Sequence, residues 1–226
     1  MTQRSHERAD RARTPGAWFD LAVAHRGPKP AAAPTSSTIR AGEIDVTTLS
    51  GSRFEAVRFV EVDLGELTAR SVLFGECTFQ GVRFNSARLT SVAFLNCTFI
   101  QCSFFDAALT ECKLVGSRFD HCRFGPFTVA GGDWSLVALP GADLTEADFR
   151  DVRMREADLT GANLDGAVVR SVDLLGAWLH RASFHGADLR GSDLSSLDPR
   201  SSDMEGALID VNQALSIAVA LGLRIG

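Results

Sequence analysis

Nine aspartates in the second half of the chain stand at numbers ending in 3 or 8: Asp133, Asp143, Asp148, Asp158, Asp173, Asp188, Asp193, Asp198 and Asp203. In the first half the same places hold Arg53, Arg58, Arg83, Arg88, Lys113, Arg118 and Arg123. Residues 131–210 carry 7 Arg and 15 Asp/Glu, net −8, whereas residues 38–130 carry 9 Arg/Lys and 10 Asp/Glu, net −1. General acid/base chemistry needs two groups converging on one atom. Carboxylates strung out at a fixed interval instead make a field that draws a basic partner. The five cysteines, Cys77, Cys97, Cys102, Cys112 and Cys122, include no Cys-x-x-Cys pair and have no His at ligand spacing, so they do not read as a metal centre. With no phosphate loop, metal constellation or activated nucleophile, the residues predict neither an enzyme nor a cofactor.

The element that must hold these residues has a period of five. Of the 35 residues from Ile39 to Ile209 numbered in 4 or 9, only Ala69 and Pro199 are not large and apolar. No insertion breaks the count, so the array is an internal repeat. Two places upstream sit small or modest side chains such as Val57, Cys77, Ala107 and Ala162. Residues two apart on extended backbone point the same way. Each unit is therefore a very short strand with two inward side chains and a polar or glycine-rich corner. Steps of twenty give uniform columns: Phe59, Phe79, Phe99, Phe119, then Leu139, Leu159, Leu179. Steps of fifteen mix the types, so four units close a coil. All five cysteines fall in the small inward column, where a free thiol behaves as a small hydrophobe. Cys77 with Cys97, and Cys102 with Cys122, should stack one coil apart as reduced thiols. Phe127 and Trp134 enlarge inward positions near Gly125, Gly131, Gly132 and Pro140, which predicts a locally repacked coil rather than a kink.

Units such as Ala157-Asp158-Leu159-Thr160-Gly161 resemble the pentapeptide-repeat motif of a small residue, Asp or Asn, Leu or Phe, and two variable residues. The resemblance implies an all-β solenoid, a right-handed quadrilateral β-helix over residues 38–209, the hand expected of parallel crossovers. Asp also recurs at this position as part of the corner, through side-chain to backbone bonds. A structural reading of any single Asp therefore stands beside the electrostatic one.

Residues 1–37 are basic and rich in Pro and Ala and read as a tail. A helical turn at Trp18, Phe19 and Leu21 docking as a cap, plain disorder, and a basic arm for nucleic acid remain alternatives there. No apolar run approaches the roughly 20 residues of a membrane span, and no signal-peptide core is present; a cytoplasmic protein without membrane contact is expected. Residues 210–226 predict a C-terminal helix and a short strand. Asp210 with Gln213 has capping-box spacing, and Gly222 is a natural stop. The helix is apolar nearly all round, which suits either a cap on the last coil or a two-fold contact.

The stretch from Ile209 to Gly226 resembles the C-terminal dimerisation element of the quinolone-resistance (Qnr and MfpA type) pentapeptide-repeat proteins. That resemblance implies a homodimer through Leu215, Ile217, Ala218, Val219, Leu221, Leu223 and Ile225. It also implies duplex-DNA mimicry, with DNA gyrase or another type II topoisomerase as partner and no direct nucleic-acid binding. Eight of the nine aspartates, all but Asp198, would be the partner-binding acidic face. Four coils span about 19 Å, over which duplex DNA carries about 11 charges, so net −8 over residues 131–210 is close. Two departures stand: an unbroken register with no projecting loops, and a first half too basic to copy a phosphate backbone. The competing expectation is a general interaction scaffold using Leu95, Ile100, Phe105 and Val115.

Overall fold

The computed structural model describes residues 38–44 and 46–226. The expectations for residues 1–37 lie outside the described residues. Every strand pairing is parallel and offset by twenty residues, which is the four-unit coil predicted from the columns. The first side stacks Thr38–Arg40, Arg58–Val60, Thr78–Gln80, Thr98–Ile100 and Arg118–Asp120, then continues as bridges through Ala138, Asp158 and Trp178. The second side has bridges only, linking Asp63, Arg83, Ser103 and Arg123, and then Asp143, Asn163, Ser183 and Asp203. The third side runs from Thr48–Ser50 through seven strands to Val168–Arg170 and on to Leu208; the fourth runs from Arg53–Glu55 to Asp173. The chain folds as an all-parallel β-solenoid with one short C-terminal helix.

The corners explain why the repeat is five residues long. Two places after most of the large residues the backbone turns left-handed, at Glu66 (φ 57°), Ser86 (φ 56°) and Glu156 (φ 55°), for example. At Phe84 the carbonyl accepts the Ala87 N–H at 3.0 Å; with φ positive only at the third residue, this is a type II turn. A left-handed non-glycine residue costs about 1–2 kcal/mol. The cost is offset because its N–H joins the ladder, as when Ser86 donates to the Phe105 carbonyl at 2.8 Å.

Inside, the phenylalanines form stacked columns. Phe59, Phe79, Phe99 and Phe119 lie nearly parallel with centroids 4.8, 4.9 and 4.6 Å apart, and Phe54, Phe74 and Phe94 form a second column at 5.1 and 4.9 Å. Rings of adjacent columns meet edge to face, as Phe74 does with Phe79. Both arrangements are favoured by the ring quadrupole. The five cysteines are free, and four of them are fully buried. Each thiol points to a carbonyl of the preceding coil, Cys97 Sγ to Phe74 O at 3.3 Å and Cys112 Sγ to Leu89 O at 3.4 Å. Burial pushes the Cys112 thiol up to about 11, which keeps it protonated.

Around Phe127 and Trp134 the register is unbroken, with Ala107, Phe127 and Ala147 in line and Lys113, Asp133 and Arg153 bridged in turn. Phe127 and Trp134 are buried in that register, and Gly132 is the reason the backbone can pass there. Its φ is +93°, and a Cβ there would lie 2.0 Å from the Cys112 carbonyl oxygen. Gly132→Ala should therefore lower stability by more than about 1 kcal/mol, measured by thermal melting.

The C-terminal helix spans Val211–Ala220, and both arms of the Asp210–Gln213 capping box are present. Gly222 N–H donates to Val219 O at 2.8 Å and Leu223 N–H to Ala218 O at 2.9 Å, a Schellman stop. The short strand expected after it is not formed; residues 223–226 have no ladder partner among the described residues. Gln213, buried beneath the helix, gives its side-chain N–H groups to Leu189 O at 2.6 Å and Ser192 O at 2.8 Å. It thereby satisfies the Ser192 carbonyl, which a further coil would have taken, and adds a second donor to the Leu189 carbonyl that already accepts the Ser192 N–H, a role beyond its place in the capping box.

Candidate binding surface

Each acidic candidate sits on the rung just before an inward large residue, and the twenty-residue coil decides which side it faces. Asp158 is on the first side, and Asp143 and Asp203 are on the second. Asp148 and Asp188 are on the third, and Asp133 and Asp173 on the fourth. Asp193, twenty residues after Asp173, donates its N–H to Val172 and continues the fourth side. The eight are thus brought into one half of the solenoid but not onto one face.

Seven of them also have a local duty. The N–H of the residue two places on is left out of the ladder at the corner, and the Asp side chain accepts it. Asp133 Oδ1 takes the Ser135 N–H at 3.0 Å, Asp158 that of Thr160 at 3.0 Å, Asp193 that of Ser195 at 2.9 Å and Asp203 that of Glu205 at 3.0 Å. Asp143, Asp173 and Asp188 do the same at 3.3 Å. Asn163 serves identically for the Asp165 N–H at 3.1 Å, so the carbonyl-type oxygen, not the charge, is what the corner needs. Pro140 has no N–H to satisfy, and the residue two before it is Ala138.

Charge is left over differently on the four sides. Counting each corner with the strand that follows it, residues 131–210 place Asp143, Glu156, Asp158, Asp165, Asp198, Asp203 and Glu205 on the first and second sides, against Arg181 and Arg200. The third and fourth sides hold eight carboxylates against Arg150, Arg153, Arg155, Arg170 and Arg190. Every ion pair described in this half lies on those latter sides: Arg150–Asp148 at 2.7 Å, Arg155–Asp173 at 2.6 Å, Arg190–Asp188 at 2.7 Å, Arg170–Asp188 at 3.8 Å and Arg153–Asp133 at 3.6 Å. The first and second sides are therefore left at net −5 with no described ion pair, and the third and fourth at net −3, where Glu146, Asp151, Asp193 and Asp210 stand outside the ion pairs. Sequence spacing could not separate the unpaired carboxylates from the paired ones, because an Arg two residues away along one strand looks the same as any other Arg.

Asp188 is the most strongly held. The Arg190 guanidinium, followed by the Arg190 N–H, draws its carboxyl down to about 2 despite partial desolvation. A depressed folded value means a stabilisation present above the ordinary carboxylate range and lost as pH falls through about 2. Melting temperature should therefore drop between pH 4 and pH 2, and Asp188→Asn should flatten that part of the profile.

His180 and His185 are exposed on successive sides and do not converge. Among the described residues no group of three or more His, Cys, Asp or Glu could hold a metal ion, and no helix is long and apolar enough to cross a membrane. Leu95 and Val115 lie together on the fourth side, but Ile100 is on the first and Phe105 on the second, so the expected apolar group is not one patch. At the C-terminus the candidate dimer residues divide. Ile217 packs against the last coil and Ala218 is half-buried, whereas Leu215, Val219, Leu221, Leu223 and Ile225 are exposed. Val211 and Leu208, which the sequence reading passed over, join the exposed set; Val211, Leu215 and Val219 form one stripe at i, i+4, i+8.

These features define a class: a solenoid with a filled interior, whose chemistry is confined to outward rungs and one apolar end. The chain belongs to the pentapeptide-repeat family. Residues 47–124 match the pentapeptide repeat region, and residues 137–166 and 157–195 match pentapeptide repeats (8 copies). The pentapeptide repeat protein MfpA of Mycobacterium tuberculosis is 35% identical over 86 residues, 38% of this chain. That match spans 47% of MfpA, about half its length. Among solved structures, a trypsin-treated form of QnrB1, a plasmid-mediated fluoroquinolone resistance protein, is 22% identical with a TM-score of 0.41, covering 84% of this chain and all of that one. HetL, a pentapeptide-repeat protein involved in heterocyst differentiation regulation in Nostoc, is 21% identical with a TM-score of 0.23, covering 76% of this chain and 86% of that one.

Proposed function

We propose that this chain is a non-catalytic binding protein whose acidic half occupies the DNA-binding surface of a type II topoisomerase, with DNA gyrase the candidate, and so modulates the enzyme or shields it from quinolone-type poisons. The observation that supports this most is the charge of the first and second sides in residues 131–210, seven carboxylates against Arg181 and Arg200 with none of the seven in a described ion pair. The MfpA match and the likeness of residues 209–226 to the quinolone-resistance members point the same way. On this reading the exposed stripe of Val211, Leu215 and Val219, with Leu221, Leu223 and Ile225, meets a second copy about a two-fold axis. The two acidic halves then lie end to end at the middle of the dimer.

The first half, net −1 over residues 38–130, is left outside the mimicry. Purified gyrase should lose supercoiling activity as the protein is added, or keep it in the presence of a quinolone, and binding should weaken steeply with salt. Binding unchanged from low to high ionic strength, or no effect on gyrase at all, favours the scaffold.

A further inference from the structure

We infer that the first side of the acidic half carries an arginine-reading site formed by Trp178 and Asp158. The inference rests on the reading above only in supposing that a basic protein surface lies against this half. Trp178 stands on a rung otherwise occupied on this side by Thr, Arg, Ala or Asp, and it is 65% exposed. The ladder fixes its place, with Trp178 N–H donating to Ala157 O at 2.8 Å and Leu159 N–H to Trp178 O at 2.9 Å. Asp158 is its direct bridge partner, so the indole and the carboxylate stand side by side in one outward row, about 4.8 Å apart at the backbone.

Asp158 spends Oδ1 on the Thr160 N–H and takes part in none of the ion pairs among the described residues. The cation that follows on this side, Arg200, is turned away: its guanidinium donates to Ala220 O at 3.0 Å and Leu221 O at 2.9 Å, at the helix C-terminus. Leu136 and Leu175, both exposed, flank the corner leading into this side.

An open indole beside an uncompensated carboxylate has a particular complement. A guanidinium is planar, weakly hydrated and forked, so it stacks on the ring while its N–H groups pair with the carboxylate. An ammonium has no plane to stack and holds its water more tightly. Tryptophan is also among the residue types enriched at positions that dominate binding. The occupant is therefore an arginine on a basic protein partner rather than a lysine.

The test uses the full chain with nona-arginine and nona-lysine peptides at one ionic strength, followed by calorimetry and indole fluorescence. Nona-arginine should bind about 5- to 30-fold tighter than nona-lysine and shift the indole emission. Trp178→Ala should remove that preference, and Asp158→Asn should weaken nona-arginine more in the wild-type background than in Trp178→Ala. Because the indole is exposed, an unchanged melting temperature confirms that the variant is folded. Equal affinity for the two peptides, or a preference that survives Trp178→Ala, overturns the site. The peptide experiment contains no topoisomerase. Arginine preference without gyrase binding leaves this site standing and removes the gyrase reading; salt-dependent gyrase binding that ignores Trp178→Ala does the reverse.

Discussion

Phe99→Ala should destabilise the protein by about 3–5 kcal/mol, read from denaturant unfolding. Phe99 is fully buried, stacked between Phe79 at 4.9 Å and Phe119 at 4.6 Å and met edge-on by Phe94 and Phe104. Removing the ring leaves a cavity that the column cannot collapse into, because the strand spacing above and below is fixed by ladder bonds such as Thr98 N–H to Cys77 O at 2.9 Å. The damage should also stay near its source, since a repeat touches only its neighbours. Hydrogen exchange should open the coils around residues 79–119 first; uniform loss of protection along the array would contradict the nearest-neighbour picture. Phe99→Leu should be milder, because the same column continues as Leu139, Leu159 and Leu179.

The second large effect concerns binding. Replacing Asp143, Asp158, Asp198 and Asp203 together by Asn should slow association with gyrase about 10- to 100-fold at low salt. It should leave the melting temperature nearly unchanged. Each of these side chains accepts the N–H two residues on, and Asn keeps that acceptor, as Asn163 already shows. Asp133, Asp148, Asp173 and Asp188 changed to Asn should do the opposite, losing stability through broken Arg contacts while weakening binding less. If the two quadruple variants bind alike, the direction of the field is not what the partner reads, and the proposed interface fails. Measuring both sets separates the structural duty of the aspartates from their charge.

The fold was legible because its signal is one-dimensional. A strict interval of five with columns at twenty leaves few ways to bury Phe59, Phe79 and Phe99 together, and the parallel pairings follow that arithmetic. The thiols of Cys77 and Cys97, the burial of Trp134 and the Asp210–Gln213 cap were local matters that residue type and spacing determine. The end of the chain was harder. Apolar residues from Leu215 to Ile225 promised a sticky helix, but which of them dock depended on Gln213 reaching the carbonyls of Leu189 and Ser192. That contact turns Ile217 inward and Leu215 and Val219 outward.

What the amino-acid order determined by itself was the coil, its four corners and the excess of carboxylate in residues 131–210, because each depends only on intervals along the chain. Tertiary structure alone decided where that charge points. Asp148 and Asp158 are equivalent as letters, yet one meets Arg150 along its own strand and the other stands beside Trp178, paired with no cation. The physical reason is that neutralisation depends on distances of a few ångströms between side chains on neighbouring rungs, and a linear count of charges contains no such distances.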